Sequence, residues 1–213
     1  MGASGFKNER QQVLLLGLEK SGKTAFLKKL KDIKDKKGAN ESKLDLGEDN
    51  NDVDPKGFNL LEITNLNEGS YEIWDLGGDA TTRQYWSTFY RKIQFNIVIF
   101  FIDLFNEKSH ISALKELLIL VNEEELKFAR FFIIFNLICD EKNKLLFNEK
   151  YNEWKLLAES KMEELRECPI HDYESRVDWG LFDISNLKDG ENKTNELLGK
   201  CLGTNRDSKL AKG

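Results

Sequence analysis

Two short runs in this chain combine residue types and spacings that do chemistry. The first is GLEKSGKT, residues 17–24, which matches the pattern Gly-x-x-x-x-Gly-Lys-Ser/Thr and sits between an apolar run and an amphipathic one. In that pattern Gly17 and Gly22 let backbone N–H groups converge on phosphate oxygens, while the start of a helix near Gly22 points its positive end at them. Lys23 supplies a cation for the β- and γ-phosphates, and Thr24 offers its hydroxyl to Mg²⁺. The residues expected against a nucleotide are therefore Gly17, Leu18, Glu19, Lys20, Ser21, Gly22, Lys23 and Thr24, with Ala25 following. The second run is WDLGGD, residues 74–79, an apolar stretch ending in Asp75 and two glycines. Beside a phosphate loop, a strand-end Asp75 is placed to hold Mg²⁺ through water, and the Gly78 N–H can approach a γ-phosphate because no Cβ intervenes. Taken alone, such a run is a turn with a capping aspartate; its order after the phosphate loop favours the metal reading.

Elements must exist to position these groups. Apolar runs at 13–18, 58–63, 71–76, 96–103 and 131–138 read as strands, and a further one is expected at 181–184. The runs at 13, 96 and 131 are continuous rather than alternating, as in strands covered on both faces of a parallel sheet. Phe26, Leu30 and Ile33 form one helical face after the first strand, and Ile111, Leu114, Leu118 and Val121 form another after the fourth. The second and third runs are joined through the turn Asn67-Glu68-Gly69-Ser70 with no room for a helix, so these form a hairpin and place one antiparallel strand at a sheet edge. The segment 32–55 is charged and poor in apolar anchors, and reads as an inserted solvated loop. Segment 140–179 reads as a second insertion holding an extra helix, with Trp154, Leu157, Met162 and Leu165 on one side and Pro169 as its stop. One domain over 11–203 is expected, with a tail at 1–10 and a polar tail at 204–213.

Composition bounds the partners. The chain has 213 residues, 40% of them hydrophobic and 11% aromatic, enough for one α/β domain with a core. With 37 acidic against 32 basic residues the net charge is -5, so no global positive field is available to hold nucleic acid. Cys139, Cys168 and Cys201 are far apart and, with only His110 and His171 to join them, suggest reduced cytosolic thiols rather than a zinc site. The longest apolar stretch falls far short of the roughly 20 residues a membrane helix requires, and the polar start MGASGFKNERQQ does not resemble a signal peptide.

These residues together resemble the Arf and Arf-like small GTPases. The resemblance is carried by GLEKSGKT, by Gly57-Phe58-Asn59, by the hairpin, and by WDLGGDATTRQYWSTFY at 74–90, where Arg83, Trp86 and Phe89 follow the double glycine at that family's spacing. It implies a P-loop NTPase fold of Ras-like type: a doubly wound, mostly parallel six-stranded sheet with one antiparallel edge strand and helices on both faces. It further implies GTP or GDP and Mg²⁺ as ligands, two switch segments that report the γ-phosphate, and a protein of the cytoplasm. Cytoskeletal, ciliary and peripheral-membrane settings are all compatible with such a protein. An effector or scaffold protein is the implied partner, with exchange and activating factors beside it. Phe58, Trp74 and Phe89 occupy the positions of an aromatic trio that receives effectors in the family; packing beneath the hairpin is their other reading.

Departures from the family bear on mechanism. Asp79 stands where a glutamine orients the attacking water. Like charges ~4 Å apart repel by about 1–4 kcal/mol depending on the local dielectric. An ionised carboxylate at this position therefore disfavours the charged transition state unless it is turned away, and slow hydrolysis is expected. Pro55 stands where a threonine closes the first switch, and offers neither hydroxyl nor N–H; Asp54 is its neighbour. In the guanine-reading motif Asn136 matches, Leu137 replaces a lysine, and Asp140 comes one residue late, with Ser185 and Asn186 as the final base-contacting loop. Gly2 is the acylation site in many relatives, but Phe6 stands where the consensus asks for Ser or Thr, so membrane contact is expected only if Gly2 is acylated. Besides a switch, the altered positions suit a pseudo-GTPase serving as a structural subunit. A kinase-like reaction would require an acceptor site and an arginine-rich lid, which the sequence does not supply.

Overall fold

The computed structural model describes residues 10–36, 58–66, 69–137, 144–164, 173–183 and 200–201. In chain order these form β1 (Gln11–Gly17), α1 (Lys23–Lys36), β2 (Phe58–Leu66), β3 (Gly69–Leu76), α2 (Ala80–Arg83), α3 (Trp86–Tyr90), β4 (Ile97–Asp103), α4 (Glu107–Asn122), β5 (Arg130–Leu137), α5 (Lys144–Glu164), α6 (Tyr173–Arg176) and β6 (Val177–Asp183). The six strands make one sheet in the order β2-β3-β1-β4-β5-β6. Only β2 and β3 pair antiparallel, and β2 lies at the edge; β1 pairs parallel with both β3 and β4, β4 with β5, and β5 with β6.

The continuous apolar runs are explained by two cores, one on each face of the sheet. Leu14, Leu16, Val98, Phe100, Phe131 and Ile133 join side chains of α3, α4 and α5 on one face. Their sequence neighbours Val13, Leu15, Ile99, Phe101, Phe132 and Ile134 join Phe26, Leu27 and Leu30 of α1 on the other. Because side chains alternate along a strand, a strand covered twice must be apolar at every position. With β1 flanked by β3 on one side and β4 on the other, the crevice at the carboxyl end of β1 is the topological switch point where α/β sheets bind ligands.

Several expectations shift in detail. On α4 the buried face is Ala113, Leu117, Leu120 and Val121, while Ile111 is 71% exposed and Leu114 and Leu118 are only partly covered. Both sets satisfy helical spacing, and the set that includes Ala113, 2% exposed, is the one that packs in the core. On α5, Phe147, Trp154, Ala158 and Met162 are buried and Leu157 is half exposed; Leu165 and Pro169 lie outside the described residues. The sequence reads α5 as an addition, yet it lies in the connection between two parallel strands, where a crossover is obligatory. The last strand begins at Val177 rather than at Leu181, anchored by Trp179 stacked on Phe135 at 5.9 Å and 18°. Among the described residues, no helix is long and apolar enough to cross a membrane, and no cluster of three or more His, Cys, Asp or Glu could hold a metal.

Candidate nucleotide site

The phosphate loop, residues 18–22, connects the end of β1 to the first turn of α1. Gly22 has φ +102°, and a Cβ there would lie 1.9 Å from Asn136 Nδ2, so no other residue fits between the loop and the end of β5. Asn136 is fully buried and donates from Nδ2 to the Ser21 carbonyl at 2.9 Å. The β5 residue expected at the base thus fastens the phosphate loop. Lys20 adopts φ 62° at the loop's crown, where its exposed ammonium approaches Glu19 at 3.7 Å. Leu18 is buried, Ala25 partly buried and Thr24 exposed on the first turn of α1.

Lys23 and Asp75 are both buried, and each feels the other's charge. The lysine is 8% exposed and the aspartate 7%. Lys23 Nζ donates to the carbonyls of Gly17 at 2.7 Å and Leu18 at 3.1 Å. Burial lowers its pKa to about 8 against the pull of Asp75. Burial likewise raises Asp75 to about 6, opposed by the Lys23 charge and by a hydrogen bond from Asn59, its antiparallel partner on β2. Attraction between the two charges only partly offsets what each loses in leaving water. Asp75 Oδ1, Ser21 Oγ and Asn136 Oδ1 are all buried without a hydrogen-bond partner. Three orphaned polar atoms around one loop are far from the usual satisfaction of buried groups, and mark a place shaped for something polar.

The residues after Asp75 are held in place. Glu19 N–H donates to the Gly78 carbonyl at 3.0 Å, and a Cβ on Gly78 would sit 2.3 Å from the Gly17 oxygen. The missing Cβ therefore serves close packing on the phosphate loop in this structure. Asp79 is the N-cap of α2: its carboxylate accepts the N–H of Thr81 at 3.0 Å and of Thr82 at 2.9 Å, and both hydroxyls donate to it as well. Those hydrogen bonds hold its carboxyl well below the usual carboxylate range. The pattern Asp-x-Thr-Thr at the start of a short helix is a capping signal legible in the sequence, and Thr81 and Thr82 are the partners of Asp79 that a comparison with glutamine alone overlooks.

Phe58, Trp74 and Phe89 do form one cluster. Phe58 stacks on Trp74 at 5.7 Å, and Phe89 meets their edges at 5.2 and 6.2 Å. All three rings are partly exposed yet packed on the core. Trp74 is fixed further by its indole N–H, which donates to Gln12 Oε1 at 2.8 Å, and Gln12 Nε2 in turn donates to Glu72 at 2.7 Å. Gln12 is a contributor that no motif signals. Gly2, Asp54, Pro55, Gly57, Asp140, Ser185 and Asn186 lie outside the described residues.

Comparison with known proteins agrees with this geometry. A family model described as the ADP-ribosylation factor family matches residues 2–176. The ADP-ribosylation factor-like protein 3 of Caenorhabditis elegans is 33% identical over 126 residues, 59% of each chain. Alp41, the ADP-ribosylation factor-like protein of Schizosaccharomyces pombe, is 29% identical over 86% of this chain and 91% of its own. The ADP-ribosylation factor-like protein 2 of Dictyostelium discoideum is 29% identical over 84% and 89%. Among solved structures, the Arl6 BBS3 small GTPase of Trypanosoma brucei, with a bound nucleotide analogue, superposes with a TM-score of 0.55 at 16% identity, covering 91% of this chain and 99% of that one. At that identity the superposition speaks for the fold.

Proposed function

Because the chain belongs to the ADP-ribosylation factor family of small GTPases, nucleotide-dependent switches that bind guanine nucleotide, we propose that Lys23 and the 17–24 loop hold the phosphates and that the Phe58, Trp74 and Phe89 surface receives an effector protein. The observation that carries the reading is a dry Lys23 together with three buried polar atoms that lack partners, Asp75 Oδ1, Ser21 Oγ and Asn136 Oδ1. A triphosphate or diphosphate group supplies Lys23, whose Nζ donates to the carbonyls of Gly17 and Leu18, with a fully charged acceptor.

Mg²⁺ fits the same place. The donors are hard oxygens, Asp75 Oδ1 is buried and unpartnered, and the Thr24 hydroxyl stands one residue beyond Lys23. Thr24 and, through water, Asp75 would hold the ion, and its charge would neutralise phosphate oxygens. Hydrolysis is slow in this reading, since Asp79 stands in place of a glutamine and its carboxylate is engaged in capping α2 through Thr81 and Thr82. Exchange and activating factors then set the timing of the switch.

The engagement of Asp79 also favours a second reading, in which the fold is a pseudo-GTPase and acts as a structural subunit. Nucleotide content separates the two. Gentle purification, denaturation and chromatography should release close to one guanine nucleotide per chain, and Lys23→Ala should abolish it. A stoichiometric nucleotide retained by the Lys23→Ala variant would sink the phosphate-loop assignment, and an empty wild-type chain that ignores added GTP with Mg²⁺ would leave the structural role.

A further inference from the structure

Alternate residues of β2 and β3 point to the two faces of the sheet, and the two faces are finished differently. Leu61, Ile63, Tyr71 and Ile73 join the core that α1 covers. Leu60, Glu62, Glu72 and Trp74 point the other way, and all four keep partial exposure. Strand register sorts this face into rows. Trp74 is paired with Leu60 on one side and Leu14 on the other, which makes an apolar row. The next row is polar, with Glu72 paired to Glu62 and to Gln12. Like charges directly opposite on neighbouring strands are destabilising, so the Glu62–Glu72 pairing does nothing for the hairpin itself. One cation answers both carboxylates. Arg10 Nη1 lies 3.1 Å from Glu62 Oε1 and 3.0 Å from Glu72 Oε1, and its side chain is 45% exposed. Gln12 ties the two rows together, donating from Nε2 to Glu72 Oε2 at 2.7 Å and accepting the Trp74 indole N–H on Oε1 at 2.8 Å.

Two carboxylates and one guanidinium leave this row one cation short. Hydrogen bonds from Gln12 and Arg10 hold the Glu72 carboxyl below its ordinary range, so it does not escape the repulsion by taking up a proton near neutral pH. The polar row lies two residues along β3 from Trp74, about 7 Å. Side chains four apart on a helix are separated by about 6 Å along its axis. A sheet face is covered by a helix, as α1 covers the opposite one, whereas an added strand pairs with an edge. We propose that the surface of Phe58, Trp74 and Phe89 continues onto Glu62 and Glu72, and that its partner is an amphipathic helix with an apolar side chain for the rings and an arginine or lysine one turn away for the glutamates. Arg10 steadies the row until that second cation arrives. A partner with an acidic side chain at that position meets two carboxylates and is rejected.

The inference rests on the aromatic effector surface proposed above, and its test keeps the two apart. A phage-displayed library of amphipathic helices is selected against the full chain with a non-hydrolysable GTP analogue and Mg²⁺, and binders lost on both Phe58→Ala and Phe89→Ala are kept. These should carry arginine or lysine three or four residues from an apolar anchor. The affinity of one such synthetic peptide should fall about fivefold on Glu62→Gln at low salt, and the difference should shrink as salt is added. Glu62 is the residue changed because Glu72 also holds Gln12 and, through it, Trp74. Arg10→Gln should tighten the same peptide, since the row then carries two unanswered charges; a residue that only steadies the strands would weaken it. Replacing the peptide's cation by glutamine should cost as much as Glu62→Gln, and the two changes together should cost no more than either. Aromatic-dependent binders without a basic residue at that spacing would overturn the cationic partner and leave the aromatic surface standing. The same holds if Arg10→Gln weakens the peptide, or if Glu62→Gln weakens the glutamine peptide equally. A selection without any aromatic-dependent binder overturns the surface and the cationic partner together.

Discussion

Asp75 and Lys23 are a pair whose charges are each poorly hosted until a ligand arrives. For Asp75 the folded pKa is raised from 3.8 to about 6. Between those values the folded chain holds a proton that the unfolded chain has released, so stability falls as pH rises through that window and the loss is complete above it. The loss amounts to up to about 3 kcal/mol in the nucleotide-free chain, lessened to the extent that Lys23 is left without its neighbour. Asp75→Asn should therefore match wild type in urea unfolding near pH 4 and exceed it at pH 7, while losing any stabilisation by Mg²⁺. A difference that does not change with pH would remove burial of the charge as its cause. Lys23 has the opposite sign: lowered from 10.5 to about 8, it costs stability below pH 8 and ceases to do so as pH rises toward its unfolded value. At neutral pH both costs are present, which is the condition under which an incoming phosphate and cation relieve the most. Asp79 belongs to the same scale. Asp79→Gln restores an amide that can orient water but discards a good cap, so single-turnover GTP hydrolysis should rise while Asp79→Ala leaves it unchanged; equal rates in the two variants would show that the side-chain amide contributes nothing.

Elements were legible where one residue type carries one meaning. The run Gly-x-x-x-x-Gly-Lys-Thr between an apolar stretch and an amphipathic one has one reading, an apolar run without alternation must be covered twice, and a short turn between strands leaves no room for a helix, so the phosphate loop, the central strands and the hairpin follow from the residues alone. The faces of α4 did not, because Ile111, Leu114, Leu118 and Val121 are as helical in spacing as Ala113, Leu117, Leu120 and Val121. Packing in the fold decides between them, with Ala113 in the core and Ile111 outside it, and periodicity alone does not record which face meets the sheet. Position 113 is thus where α4 is sensitive. Ala113→Leu should cost about 1–3 kcal/mol by overpacking the sheet, and Ile111→Ala should stay within about 0.5 kcal/mol of wild type; urea midpoints in which Ile111 is the more costly of the two would contradict the face described. The role of Asp79 was hidden for a different reason. An aspartate after two glycines reads as a lost glutamine when one looks at chemistry and as a cap when one looks at Thr81 and Thr82, and only the hydrogen bonds distinguish them.

At the scale of the whole molecule, the β2–β3 hairpin joins the phosphate site to the aromatic surface. Asn59 and Asp75 are paired across the hairpin and serve the site, while Phe58 and Trp74 are their immediate neighbours and serve the cluster. Successive residues of a strand point to opposite faces, so anything that displaces Asp75 displaces Trp74. Gln12 extends the link, since it bonds the Trp74 indole and lies on β1, whose far end is the phosphate loop. Under the proposed function the partly exposed Trp74 and its neighbours would register occupancy of the site. Tryptophan emission should change when GDP is exchanged for a non-hydrolysable GTP analogue, and most of that change should vanish in Trp74→Phe although Trp86, Trp154 and Trp179 remain. Gln12→Leu, which removes the indole's partner while keeping an apolar stem, should reduce the change without abolishing nucleotide binding. An emission spectrum indifferent to exchange, in a chain shown to bind both nucleotides, would assign Phe58, Trp74 and Phe89 to packing and move the effector surface elsewhere.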